Sequence, residues 1–189
     1  MKLILTRHGE TEENIKKIWQ GHLPGKLSKL GIEQAEKVAL RLKDEKFDAI
    51  YSSDLARSSD TAKIIAKYHK YIPIYFVKEL REVDLGSYTG KHNSEIDLDN
   101  CPPDMETRKS MCKRAKIILD RAYEEYPYGV VLFVGHNAIN RALLTVIFDK
   151  PTEYVKECDI QHNTGVSIFE ITEDKNHKVH LLNCAKHLE

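Results

Sequence analysis

The chain has 189 residues, enough for one ordinary domain that buries about 70% of the surface its unfolded chain would expose. Lys plus Arg and Asp plus Glu each total 29, so the formal net charge is zero and the general attraction of a basic protein to nucleic acid or anionic membrane is excluded. The opening Met1-Lys2-Leu3-Ile4-Leu5 is cut off by Arg7 short of a signal-peptide core, and the longest later apolar run, Val130 to Val134, is strand-sized, so a cytoplasmic protein is expected.

In chain order, an apolar strand at Leu3 to Thr6 runs into Arg7-His8-Gly9-Glu10-Thr11 and a polar helix. A helix follows over Ser28 to Leu42, with Ser28 as N-cap and Ile32, Ala35, Val38, Ala39 and Leu42 inward. Then come a strand at Ala49 to Ser52, a helix over Asp54 to Tyr68, a strand at Ile74 to Val77, a helix over Met105 to Tyr126, a strand at Val130 to Val134 and a helix over Asn137 to Phe148. Two final strands, Gly165 to Ile171 and Lys178 to Asn183, suit an antiparallel hairpin turning at Glu173-Asp174-Lys175-Asn176. Strands alternating with helices at this spacing predict a single α/β domain over residues 1–189, in three α/β/α layers around a mostly parallel sheet. The stretch 87–104 is polar, aperiodic and broken by Gly90 and Pro102-Pro103. Such an insertion reads as a lid or substrate-selecting loop over a crevice.

Parallel strands deliver the residues that follow them to one sheet edge, where ligands bind in open α/β sheets. Those residues are Arg7 and His8; Ser52, Ser53 and Asp54, with Arg57 one turn later; Arg81 and Glu82; and Gly135, His136 and Asn137. Phosphoryl transfer needs equatorial oxygens neutralised and a nucleophile held in line. Arg7, Arg57 and a protonated His136 suit the first task, and His8, its pKa lowered by two guanidinium groups, suits the second. Glu82 suits the protonation of a basic leaving group.

Four motifs carry a family resemblance: Arg7-His8-Gly9-Glu10-Thr11 with Asn14 and Gln20-Gly21, then Leu27-Ser28-x-x-Gly31; Ser52-Ser53-Asp54-Leu55-x-Arg57 with Thr61-Ala62; Leu80-Arg81-Glu82 with Gly86 and Gly90; and Val134-Gly135-His136-Asn137 with Arg141-Ala142-Leu143. In this order the chain resembles the histidine phosphatase superfamily, also called the phosphoglycerate mutase-like family, over most of its length. The resemblance implies that His8 is phosphorylated and that Arg7, Arg57 and His136 complete the phosphate pocket. It further implies that Glu82 is the proton donor, that Asn14, Gln20, Gly21 and Asn137 contact phosphate or substrate, and that no metal or other cofactor takes part. Departures fall at Pro24, where the family often has an acidic residue, at Asn137 or Ala138, where it often has glycine, and at His22, where relatives often carry a bulky aromatic. These bear on substrate more than on chemistry.

The expected activity is hydrolysis of small phosphorylated metabolites. The alternatives are a cofactor-dependent phosphoglycerate mutase and a catalytically inactive phosphate-binding module. Against the mutase, the positions where mutases carry Tyr and Lys read Leu85 and Asn93, and Glu13 stands where they usually have tryptophan. A zinc site from His8, His136 and a carboxylate is opposed by the two arginines, whose charge repels a cation. The blander readings are also defined: Arg57 paired with Asp54 or Asp60, Arg81-Glu82 as a solvated pair, and Arg108, Lys109, Lys113 and Arg114 as a solvated helix face. His22, His92 and His162 are expected in loops that can touch the crevice, and His69, His177, His180 and His187 on the surface. Cys101, Cys112, Cys158 and Cys184 read as buried free thiols in a monomer or homodimer.

Overall fold

The computed structural model describes residues 1–174 and 176–189. Among these, six strands form one sheet in the order β3-β2-β4-β1-β5-β6. They are β1 (Lys2–Arg7), β2 (Ala49–Ser53), β3 (Ile74–Val77), β4 (Val130–Gly135), β5 (Val166–Glu170) and β6 (Lys178–Cys184). β1, β2, β3 and β4 run parallel, while β5 pairs antiparallel with β1 and with β6. The expected hairpin is therefore present, although Lys175 in its turn lies outside the described residues.

The central strands are apolar on both faces because each face has a helical layer to meet. Leu3, Leu5, Ala49, Tyr51, Val131 and Phe133 point to one core, and Ile4, Ile50, Leu132 and Val134 to the other. The first core is closed by α4 (Arg108–Glu125), through Met111, Ala115, Ile118 and Ala122, and by α5 (Asn137–Ile147), through Ile139 and Leu143. The second is closed by α2 (Lys29–Leu42), through Val38, Ala39 and Leu42, and by α3 (Ala56–Ala66), through Ala62 and Ile65. The remaining helix, α1 (Glu12–Ile15), is a single turn closed by a Thr11/Asn14 capping box.

Two helix starts fall later than the sequence predicts. α3 begins at Ala56 because Asp54 turns away to Arg81, leaving the N-cap at Leu55 without a side-chain hydrogen bond. α4 begins at Arg108 because Thr107 caps it, accepting from the Ser110 amide at 3.1 Å. The segment 87–104 is folded back rather than free. The Gly90 amide donates to Trp19 O at 2.7 Å and the Trp19 amide to Lys91 O at 2.8 Å, the Asn93 amide donates to Lys17 O at 2.9 Å, and Asp104 accepts from Ser87.

Candidate active site

A cavity of about 710 Å³ opens at the C-terminal edge of the parallel strands, lined at its base by Arg7, His8, Arg57 and Glu82. Asn14, Gln20, Gly21 and Asn137 line it too, and Leu98, Cys101, Pro102 and Pro103 bring the 87–104 segment onto its rim. His136 lies just behind, fully buried, its ring centroid 5.0 Å from that of His8.

The sheet register creates this pairing. β1 and β4 run side by side with Arg7 opposite Gly135, and the His8 amide extends the ladder to Gly135 O at 3.1 Å. Each imidazole is therefore the next residue after a matched pair. The turn behind His8 must also pass close to α2. A Cβ at Gly9 would stand 2.3 Å from Gly31 O, and one at Gly31 would stand 1.9 Å from Glu10 O, so only glycine fits at either position. Further supports come from Thr61 Oγ1, which accepts the Gly9 amide at 3.1 Å, and from Asn163, whose amide nitrogen donates to His8 O at 2.9 Å.

The protonation of both rings follows from their partners. His8 Nδ1 lies 2.7 Å from Gly9 O, a group that only accepts, so Nδ1 carries the hydrogen and Nε2 keeps a lone pair toward the cavity. Burial, then the charges of Arg57 and Arg7, hold the His8 pKa well below its ordinary 6.5. Arg57 Nε donates to His136 Nδ1 at 3.1 Å, so that nitrogen is bare and His136 Nε2 carries the hydrogen. That Nε2 is buried and has no partner among the described residues. Burial, Arg57, His8 and Arg7 all depress the His136 pKa. The sequence-based expectation of a cationic His136 is therefore corrected: the ring is a neutral, unmet donor. Its immediate partner is itself a cation, and that forbids a second charge.

The Arg57 guanidinium is 1% exposed and pairs with neither Asp54 nor Asp60. Besides His136 it donates to the carbonyls of Gly21 at 2.9 Å, Leu23 and Pro24. Burial lowers its pKa to about 10, against the opposing pull of Glu82. Arg7 donates through Nη1 to Gln161 O at 2.7 Å, while its buried Nε is unpartnered among the described residues. Glu82 Oε1 accepts from the amides of Val83 and Ala138, both at 3.0 Å, the second of which opens α5. This leaves Oε2 for the cavity. Asn14 Oδ1 is used by the Thr11 amide, which frees its amide nitrogen, and Gln20 Nε2 donates to Thr11 Oγ1 at 2.8 Å.

Several expectations move. Ser52 and Ser53 shape the turn into α3, through Ser53 O and the Leu55 amide, and do not line the cavity. Arg81 forms a two-point pair with Asp54 instead of facing ligand. His22 reaches Glu82 O at 2.9 Å, and His92 caps a turn of the 87–104 segment. Arg114 leaves the solvated face to bind Glu106 and the carbonyls of Glu79, Arg81 and Glu82. His69 is buried against Phe47, and His187 sits between Arg41 and Thr164, where burial and the charges of Arg41 and Lys37 bring its pKa to about 4. Cys112 and Cys158 are buried, but Cys101 is exposed. Sequence reasoning missed Gln161 and Asn163, which precede the turn into β5 and brace Arg7 and His8.

Among the described residues no group of His, Cys, Asp and Glu is arranged to hold a metal ion, and no helix is long and apolar enough to cross a membrane.

A three-layer α/β fold that sets two imidazoles between two guanidinium groups at a sheet edge matches the histidine phosphatase superfamily (branch 1), whose sequence model covers residues 3–184; the chain belongs to that family. It is similar to the adenosylcobalamin/alpha-ribazole phosphatase of Escherichia coli (strain K12), 28% identical over an alignment of 167 positions that covers 81% of this chain and 82% of that protein. Among solved structures, YhfR of Bacillus stearothermophilus has a TM-score of 0.91 at 28% identity, over 100% of this chain and 99% of its own. A mutant of the phosphoserine phosphatase from Entamoeba histolytica, in complex with phosphoserine, has a TM-score of 0.85 at 28% identity, over 100% of this chain and 99% of its own.

Proposed function

We propose that the protein is a phosphomonoesterase that hydrolyses small phosphorylated metabolites through a phosphohistidine at His8. The observation that carries this reading is the set of unmet groups at the cavity base: the free His8 Nε2, the unpartnered Nε–H of His136 and the unpartnered Nε–H of Arg7. One lone pair with two unmet donors at the same end of the site fits a phosphoryl group attacked from His8. His8 Nε2 bonds to phosphorus as the ester oxygen leaves, and Glu82 Oε2 supplies that oxygen with its proton. The carboxylate then takes a proton from water, whose oxygen attacks phosphorus, breaking the N–P bond and releasing inorganic phosphate. The charges of Arg7 and Arg57 balance the charge that gathers on the equatorial oxygens, and the neutral His136 Nε–H donates a hydrogen bond to them. Activity in the E. coli and Entamoeba relatives, both named as phosphatases, supports the same reaction class.

Wild-type protein mixed with p-nitrophenyl phosphate and quenched in alkali is expected to carry one acid-labile phosphate on His8, identified by peptide mass spectrometry. His8→Ala is expected to carry none and to turn over no substrate. Steady turnover with label absent from His8 would overturn the mechanism, and phosphate returned to an acceptor rather than to water would move the protein to the mutases.

A further inference from the structure

The cavity carries more positive charge than one phosphate uses. Six Lys or Arg residues line it against Glu82 and Glu106, and Glu106 is already bound by Arg114. In a chain of zero formal net charge this excess is local. Beyond the phosphate end the lining cations are Lys17, Arg108, Arg141 and Lys156, and none has a side-chain hydrogen bond or ion pair among the described residues.

Arg141 is the one built into the wall. It stands one turn after Asn137 on α5, the helix whose first turn also gives the Ala138 amide to Glu82. Positions four apart share a helix face, so both look into one cavity. Its Nε is buried without a partner, and burial holds its proton less tightly than usual. Met111 and Val155, which are apolar and buried, line the same cavity and lower its dielectric. A half-buried guanidinium with no counter-ion is costly in the empty protein, and an anion that arrives with matching geometry offsets the cost.

We propose that Arg141 reads a second anionic group, so that the cavity takes a phosphomonoester whose other part carries a carboxylate or another phosphate. The proposal rests on the phosphatase reading and narrows its substrate class. Arg141 is the specificity-determining residue, and exposed Lys156 draws the same group in by its field. The competing role for Arg141 is to serve Glu82, whose charge it feels without an ion pair. That role would affect every phosphomonoester alike.

The test measures binding in a His8→Ala background, where ligand persists, by calorimetry on matched pairs. These are 3-phosphoglycerate against glycerol 3-phosphate, and fructose 1,6-bisphosphate against fructose 6-phosphate. The first pair probes a carboxylate and the second another phosphate. In at least one pair the more anionic member is expected to bind about tenfold or more tightly, and adding Arg141→Ala to collapse that preference to within about twofold. Arg141→Gln, which keeps the shape without the charge, should do the same and guards against a misfolded alanine variant. Arg141→Lys should keep part of the preference. Ratios near one in both pairs before any change at Arg141, or a preference that survives both neutral variants, would overturn the inference. Failure of wild-type protein to hydrolyse p-nitrophenyl phosphate strikes only the phosphatase reading, because the binding ratios are read without turnover.

Discussion

Replacing Arg114 by methionine removes the guanidinium that holds the Glu82 loop while keeping an apolar stem of similar length. Arg114 sits on α4 and donates to both Glu106 carboxylate oxygens at 2.8 Å, to Glu79 O at 2.8 Å, to Arg81 O, and to Glu82 O at 3.0 Å. Burial raises the Glu106 pKa, but the Arg114 hydrogen bond and charge outweigh it and hold the carboxyl below its usual range. The side chains are only 16% and 12% exposed, so water does not freely replace the lost donors. Breaking one partner of a buried pair costs about 3–5 kcal/mol, and the wet edge of this one places it near about 3 kcal/mol. The three abandoned carbonyls face a loop that can relax, and we expect them to add at most about 1 kcal/mol together. At about 2–4 °C per kcal/mol for a domain of this size, the melting temperature should fall by about 10 °C. A thermal melt followed by circular dichroism reads the shift. Turnover of glycerol 3-phosphate and p-nitrophenyl phosphate reads the site, and the first substrate should suffer more because its alkoxide needs the acid in place. A melting shift below about 2 °C would refute the claim that Arg114 carries this loop.

Glu82→Gln should slow alkyl phosphates by about 10²-fold or more and p-nitrophenyl phosphate far less, a difference read in kcat; equal slowing would remove Glu82 from the acid role. Stability of the ligand-free protein should fall as pH drops from about 6.5, because the unfolded chain then binds protons at positions 8 and 136 that the buried rings, with their lowered pKa values, refuse. The slope is up to about 1.4 kcal/mol per pH unit for each ring, so urea midpoints that match at pH values of about 7 and 5.5 would contradict two neutral buried imidazoles. Gly31→Ala should cost about 1–3 kcal/mol of stability and lower kcat as well, because the added carbon must push the Glu10 carbonyl and with it the turn behind His8. An alanine variant with wild-type melting and turnover would show that this approach is not tight.

The layers and the sheet edge were legible because hydrophobic period and turn chemistry act locally. The runs at Leu3 to Thr6 and Val130 to Val134 could only be buried strands, and Ser28 announced the start of α2. Arg7, His8, Arg57, Glu82 and Asn137 meet at one cavity wall with His136 directly behind it, since parallel strands deliver their following residues to a common edge, while Ser52, Ser53 and Arg81 turn to neighbouring protein groups instead. The charge of His136 was not legible, because it depends on which nitrogen of Arg57 reaches which face of the ring, a fact of three dimensions. Arg114 misled for a related reason. Its neighbours at Lys109 and Lys113 are solvent-facing, and only the helix rotation turns this one position inward. Asn163 donates to the His8 carbonyl and Gln161 offers its own carbonyl to Arg7, each across more than 150 residues of sequence, and no local pattern carries such a partnership.

The ladder joining β1 to β4 works as a ruler for chemistry. The two imidazoles owe their 5.0 Å spacing to strands that end in step, with Arg7 opposite Gly135. Deleting one residue within either strand would send its histidine to the opposite side of the sheet, since successive side chains alternate faces. A residue added to the loop at 87–104 disturbs no such measure. Changes of length are thus tolerable where the substrate's outer part is met and forbidden where its phosphorus is, so a chain of this kind can take up new substrates without altering its reaction.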